Sequence, residues 1–313
     1  LPYIINIRTI FLLSILFSTG CNSSASVNEL AEPSSGIAFV SDRSGNWDIY
    51  LADLEVGHVS QLTDHPSVDS DPDWSADGRQ IAFRSRRDGS SDIFIMGADG
   101  SQPINLINDP AESFNDEFAP KWHPEGQIFS LYTDRFLPRG NCLAGFHQLA
   151  FLRTNGDEPE FDLFETIPGE QYSSSWSPDG RFLVFNSSCR GENFRLYLYD
   201  LHTGDTSLLS TKQDSQTYPA WSHDGRFLAI SANLEDNNDI YVLELETNNL
   251  AQLTSHPSKD TQPTWSPDDS QIAFVTNRDG NQEIYVMDAD GSNLYNLTRN
   301  PANDWYPAWS PVE

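Results

Sequence analysis

The stretch Pro263-Thr-Trp265-Ser-Pro-Asp-Asp-Ser-Gln-Ile272-Ala-Phe274, followed by Asn277-Arg278-Asp-Gly280-Asn-Gln-Glu283-Ile-Tyr285, decides how the rest of the chain is read. Copies recur at Trp74, Trp122, Trp176 and Trp221, with a truncated copy at Trp309. Successive Trp residues are 48, 54, 45, 44 and 44 residues apart, about the length of a four-stranded propeller blade. Seven and nine residues after each full-length Trp come Ile81 and Phe83, Phe129 and Leu131, Leu183 and Phe185, Leu228 and Ile230, and Ile272 and Phe274. The register therefore holds without slippage.

Each unit reads as four short strands. Pro-x-Trp-Ser is an inner strand A, and Pro-Asp-Gly or a variant makes a tight turn because Gly accepts φ > 0 and Pro presets φ. Ile-Ala-Phe begins strand B, Arg-x-Gly-x-x-Asp-Ile-Tyr turns into strand C, and Asp-Ala-Asp-Gly-Ser turns into strand D. Apolar residues alternate with period two, which is strand spacing. The first unit, at Ile37-Ala-Phe39, has Leu30 where its Trp belongs, whereas the last, Pro307-Ala-Trp309-Ser-Pro311, has no strands after it. The halves complement each other. The expectation is an all-β, six-bladed propeller over 37–313, its first blade completed by the C-terminal strand, which removes two open sheet edges.

These pieces resemble the TolB-like propeller repeat over about residues 37–311. The resemblance implies a six-bladed propeller of the kind found in the periplasmic protein TolB, in lipoproteins and in peptidase propellers. TolB carries an α/β domain before its propeller, where only a short polar stretch stands here, and propeller peptidases append an α/β-hydrolase domain. Neither specific function is expected to carry over whole.

Composition narrows the function classes. The 313 residues carry a net charge of −28, and only Lys121, Lys212 and Lys259 are lysines. Such a field argues against nucleic acid and for cations or basic partners, while also serving solubility. Residues 1–20 read as a signal peptide, with Arg8 before the apolar run Ile10–Phe17, too short to span a membrane. Ser18-Thr-Gly-Cys21 resembles a bacterial lipobox, with Ser18 where Leu is usual, which implies lipidation at Cys21. An ordinary secretory signal is the other reading, and both export the protein, to the periplasm or cell surface. Residues 21–36 are small and polar and read as a flexible tether.

Candidate chemistry is sparse. Arg43 and Asp48, Arg87 and Asp92, and Arg278 and Glu283 share one spacing and are expected to form ion pairs across the B–C hairpins; blade five has Leu234 at the Arg position, so its hairpin should be looser. The histidines do not cluster at metal-ligand spacing, and neither a Gly-x-Ser-x-Gly elbow nor a phosphate-binding Gly loop occurs, so no catalytic residue is assigned. Asp69, Asp71 and Asp73 alternate along one strand; they could hold Ca²⁺ or Mg²⁺ at the channel mouth, or simply cap a loop. No other cofactor is expected. Cys142 and Cys189 fall in long B–C connections of adjacent blades, where a disulfide or two buried thiols are both open.

The D–A and B–C loops share one face of such a propeller and carry what the repeat does not require. There lie Trp47, Phe114, Phe118, Tyr172, Tyr218, Trp305 and Tyr306, with Asp69, Asp260 and Asp304 five residues before their Trp. Trp47 and Trp305 both belong to the composite first blade and should be neighbours. Aromatic anchors among carboxylates suit a protein or peptide partner of basic character in the cell envelope. The expected function is a lipid-anchored binding or scaffold module; the alternative is a hydrolase or lyase working in the propeller channel.

Overall fold

The computed structural model describes residues 32, 34–107, 115–134, 147–154, 159–163, 169–188, 193–209, 215–234 and 237–312. Cys21, Cys142, Cys189 and Phe114 lie outside these residues, as do residues 1–20 and most of 21–36.

Six antiparallel sheets of four strands follow one another around a ring. Strand A of blades 2 to 6 is Asp69–Trp74, Glu117–Trp122, Glu170–Trp176, Gln216–Trp221 and Asp260–Trp265. Blade 1 takes its strands B, C and D from Ile37–Ser41, Asp48–Ala52 and Val59–Gln61, and its strand A from Asp304–Trp309 at the other end of the chain. Ile37 pairs with Trp309 and Ser41 with Asp304, so the C-terminal strand closes the ring as the two half-units require. Among the described residues there is no helix.

The period-two pattern explains how the blades cohere. Alternate strand residues point to opposite faces, so each blade feeds two cores. In blade 1, Ile37, Phe39 and Tyr50 pack against Ala273, Ile284 and Val286 of blade 6. Ala38, Ile49 and Leu51 pack against Trp74, Ile81, Phe83 and Phe94 of blade 2. Four further clusters repeat this between the other neighbours. The strand B aromatics Phe39, Phe83, Phe129, Phe185 and Phe274 are fully buried, each contributing about 1.5–3 kcal/mol of transfer free energy.

The repeated Trp also stitches blades together, in an alternating way. The indole N–H of Trp74 donates to Ala308 O, that of Trp176 to Lys121 O and that of Trp265 to Ala220 O, each reaching the preceding blade at 3.0–3.2 Å. Trp122 instead donates to Gly126 O in its own turn. The A–B turns are held by a Ser–Asp pair, as where Ser75 Oγ donates to Asp77 at 2.7 Å, with Gly78 at φ 67° closing the turn. Blade 3 has His123 in place of that Ser. Its Nε2 donates to Gly180 O of blade 4 at 2.9 Å, while its ring lies edge-on to Trp176.

The hairpin arginines do not make the pairs their spacing suggests. Arg43, Arg87 and Arg278 reach instead to Asp304, Asp69 and Asp260 of strand A, at 3.0, 2.8 and 3.0 Å. Each guanidinium lies over two rings of its own blade, such as Phe83 and Phe94 beneath Arg87. The strand C acids are bound by strand D and its flank: Asp48 by Gln61 and Thr63, Asp92 by Asn105, Asp239 by Gln252 and Thr254, Glu283 by Asn296. Strands A and B are neighbours in the sheet, so a side chain leaving the end of strand B meets the start of strand A first.

Candidate binding site at the channel mouth

Strand A is the innermost strand, so its inner side faces the axis without a partner. That position tolerates Pro, which has no N–H to give, and Pro72, Pro120, Pro219, Pro263 and Pro307 stand two residues before their Trp, with Ser174 in blade 4. The residue just before, three ahead of the Trp, is left-handed in all six blades: Asp71 (φ 55°), Ala119 (45°), Ser173 (22°), Tyr218 (51°), Gln262 (57°) and Tyr306 (52°). The A–B pairing skips at the same place in every blade. These are β-bulges, which bend a strand and re-aim its side chain. A non-Gly residue in this conformation costs about 1–2 kcal/mol, and strain of this kind gathers at ligand-binding and catalytic sites.

The six bulges surround a cavity of about 980 Å³ lined by strand A of every blade. Around it the side chains are not alike. Tyr218, Gln262, Tyr306 and Asp71 occupy four adjacent blades, while blades 3 and 4 carry only Ala119 and Ser173. In those two blades the preceding residues, Phe118 and Tyr172, supply the bulk. Hydrogen bonds between blades fix the ring: Tyr218 N–H donates to Ser173 Oγ at 3.0 Å, and Tyr306 N–H to Gln262 Oε1 at 2.7 Å. Gln262 N–H donates to Ser231 Oγ at 3.1 Å.

Phe118, His147, Tyr172 and Phe194 form a continuous aromatic wall, with centroid separations of 4.7, 5.8 and 5.3 Å. Arg84 lies over the Phe118 ring at 5.2 Å; its Nε is 3.3 Å from the Asp71 carboxylate and donates to Ser70 Oγ at 2.9 Å. Burial raises the Tyr172 phenol above its usual range, helped by Glu170, and raises Tyr218 and Tyr306, where the Asp71 charge adds to it. All three hydroxyls therefore stay protonated through neutral pH and can donate as well as accept. The mouth thus combines aromatic surface, neutral hydrogen-bonding groups and two ion pairs, Arg84–Asp71 and Lys121–Asp73. Such a mixture suits an amphipathic ligand.

Of the residues singled out by sequence, Phe118, Tyr172, Tyr218 and Tyr306 line the cavity. Trp47 and Trp305 do touch, with centroids 5.0 Å apart, but outside the cavity lining. Asp69, Asp260 and Asp304 are corrections: all three are buried beneath their arginines and present no carboxylate to a partner. The Asp69–Asp71–Asp73 set does not converge either. The bulge at Asp71 breaks the alternation, and Asp69 goes to Arg87, Asp71 to Arg84, and Asp73 to Lys121 and the Trp122 N–H. Among the described residues no group of three or more His, Cys, Asp or Glu is placed to hold a metal ion. Sequence reasoning missed Ala119, Ser173, Gln262, Arg84, His147 and Phe194. The signal was present for the first three, as the variable residue before Pro-x-Trp in each repeat.

The architecture defines a six-bladed β-propeller with an open, side-chain-lined channel. More particularly, the chain belongs to the TolB beta propeller domain family, whose profile matches residues 22–136 and 170–313. It is 29% identical over 172 residues to the Protein TolB homolog of Chlorobium luteolum, covering 55% of this chain and 36% of that protein. The matched stretches span less than half the length of the curated relatives. Among solved structures, TolB from Acinetobacter baumannii superposes with a TM-score of 0.71 at 19% identity, over 90% of this chain and 68% of that one. An oligogalacturonate lyase in complex with manganese gives a TM-score of 0.58 at 17% identity, over 85% of this chain and 75% of that one. Both likenesses are of fold.

Proposed function

We propose that this chain is an exported, lipid-anchored propeller that binds a protein or peptide partner of the cell envelope at the mouth of its channel. The observation that carries the reading is the ring of bulges. Six left-handed positions turn side chains toward one cavity, and four adjacent blades spend them on Tyr218, Gln262, Tyr306 and Asp71. Nothing in the repeat demands those residues, since Ala119 and Ser173 satisfy the same backbone. Phenol rings backed by a carboxylate offer both apolar contact and a seat for a basic side chain. With Asp69, Asp260 and Asp304 buried, the acidic contribution falls to Asp71, Asp73 and Glu170.

Crosslinking pull-down of the mature protein from envelope membranes tests this, with Tyr218→Ala and Trp305→Ala compared against wild type after folding is checked. Tyr218→Ala should weaken capture by about 2 kcal/mol or more, as a central hot spot does. Trp305→Ala reports whether the rim contributes. Unchanged capture in both, with loss on altering the A–B turns, would put the partner on the wrong face. No captured partner, with turnover of a polymer in the channel, would replace the reading with an enzyme.

A further inference from the structure

Where one blade meets the next, the start of strand A is pinned to the start of the preceding strand C. Asp69 N–H donates to Trp47 O at 2.8 Å, Glu117 N–H to Ser91 O at 2.7 Å and Asp304 N–H to Gln282 O at 2.8 Å. Each bond sets a buried strand A acid beside the strand C acid that follows the acceptor: Asp69 beside Asp48, Glu117 beside Asp92, Asp304 beside Glu283. Asp260 and Asp239 make a fourth such seam. Burial raises the carboxyls of Asp48, Asp239 and Glu283, and the charges of Asp69, Asp260 and Asp304 add to it.

The seam between blades 4 and 5 is built the same way but charged the other way. Gln216 N–H donates to Phe194 O at 2.8 Å, so Gln216 stands beside Arg195, the first residue of strand C (Arg195–Asp200). Strand D changes with it. Gln61, Asn105, Gln252 and Asn296 bind the strand C acid in their blades. The same register position of blade 4, in Thr206–Leu208, is Leu208, 41% exposed. Acid and amide have been exchanged together for base and leucine.

The exchange leaves polar atoms with nothing to bind. Arg195 Nε is closed to solvent and meets no acceptor, and Gln216 Oε1 and Ser187 Oγ, on fully buried side chains, are also without a partner. Ser187 lies directly across from Arg195 in the sheet, so the two side chains leave the same face. Buried polar groups left in this state lose their hydration without return. A guanidinium fork, a hydroxyl and an amide that can present its NH2 by a half-turn are together matched by a carboxylate. The net charge of −28 does not forbid one, because charges beyond about 8–10 Å are screened at physiological salt. This seam carries Arg195 and Gln216 where its counterparts carry acids.

We infer that the seam between blades 4 and 5 is a carboxylate-binding subsite, in which Arg195 receives an acidic group of the peptide partner. It adjoins the aromatic wall of the cavity, because Phe194, whose ring meets Tyr172, is the residue before Arg195. That the carboxylate arrives on a peptide rests on the binding function proposed above; the subsite itself does not.

The test follows the Arg195 Nε–H signal of the full chain by NMR at constant ionic strength, assigned by its loss in Arg195→Gln. The probes are N-acetylglutamic acid α-amide, with a side-chain carboxylate, N-acetylalanine, with a terminal one, and N-acetylglutamine amide, with none. One or both acids should shift the signal saturably and the uncharged amide should not; the tighter acid tells which kind of carboxylate the seam takes. Gln216→Asp restores the acid of the other seams and should occupy Arg195 from within. It should weaken the acids at least about tenfold while the melting temperature holds or rises. In the pull-down, Arg195→Gln should weaken capture by about tenfold or more. If the acids shift Arg195 no more than the amide does, or Gln216→Asp leaves their binding unchanged, the subsite is overturned, even where Tyr218→Ala still lowers capture. If the acids bind at Arg195 while neither Arg195→Gln nor Tyr218→Ala affects capture, the subsite stands and the partner docks elsewhere than at the mouth.

Discussion

The Arg87 guanidinium sits 2.8 Å from the Asp69 carboxylate, 18 residues back in strand A, and the carboxylate is closed off from solvent. The same lock joins Arg43 to Asp304 and Arg278 to Asp260. Breaking one side of such a pair leaves a buried charge without compensation, which costs about 3–5 kcal/mol. Arg87→Met, which keeps the stem over Phe83 and Phe94, should lower unfolding stability by that amount in urea melts. Adding Asp69→Asn should recover much of it, because the stranded charge is then gone. A loss below about 1 kcal/mol in the single variant would show that the pair is not the lock it resembles.

Blade-level features were open to sequence reasoning because they recur: Trp spacing, strand periodicity and ring closure each had several copies to confirm them. The lock was misread because Arg-x-Gly-x-x-Asp offers a nearby acid, and the sheet neighbour that wins lies in another strand. The repeats carried the answer as a joint change. Blades 4 and 5 have Gln171 and Gln216 where the buried Asp stands, and blade 5 has Leu234 where the Arg stands. Acid and base are lost together. The bulge ring was harder still, since φ cannot be read from Tyr, Gln or Asp as it can from Gly.

Ring closure by the C-terminal strand makes its own prediction. Deleting residues 305–313 removes the pairing of strand A with Ile37, Ala38 and Val40, and the acceptor of the Trp74 indole at Ala308. It also takes away Trp305 from Trp47 and leaves strand B of blade 1 as an open edge. The truncated protein should melt at lower temperature, with reduced cooperativity and concentration-dependent association. A monomer with an unchanged melting curve would contradict the closure.

Blade 5 offers a pH test. Asp239 is buried, and burial, aided by the Asp260 charge, raises its carboxyl above the ordinary value despite hydrogen bonds from Gln252, Thr254 and Asn237. A carboxyl raised in the fold binds its proton more tightly there than in the unfolded chain. Its ionisation therefore takes stability away as pH climbs from the usual carboxylate value through the raised one. Asp239→Asn removes that titration, so the variant should gain on wild type across this window. Parallel stability–pH curves for the two proteins would show that Asp239 does not titrate differently on folding.

The bulge ring can be tested apart from any ligand at Ala119, where only a methyl is at stake. Ala119 holds φ 45°, and a left-handed L-residue costs about 1–2 kcal/mol that glycine does not incur. Glycine in turn loses about 0.5–1 kcal/mol through the greater freedom of its unfolded chain. Ala119→Gly should thus come out neutral or stabilising by up to about 1.5 kcal/mol. The control is Ala82→Gly in strand B of blade 2, buried and regular in its pairing with Ile95. There glycine relieves no strain, and the lost methyl adds about 0.8 kcal/mol of transfer free energy to the entropic penalty. Ala82→Gly should therefore destabilise by about 1–2 kcal/mol. If the two variants fall by the same amount in urea melts, the bulge at Ala119 stores no strain. The channel would then lose its claim to be a place where the backbone is bent at a cost so that six side chains can face one cavity.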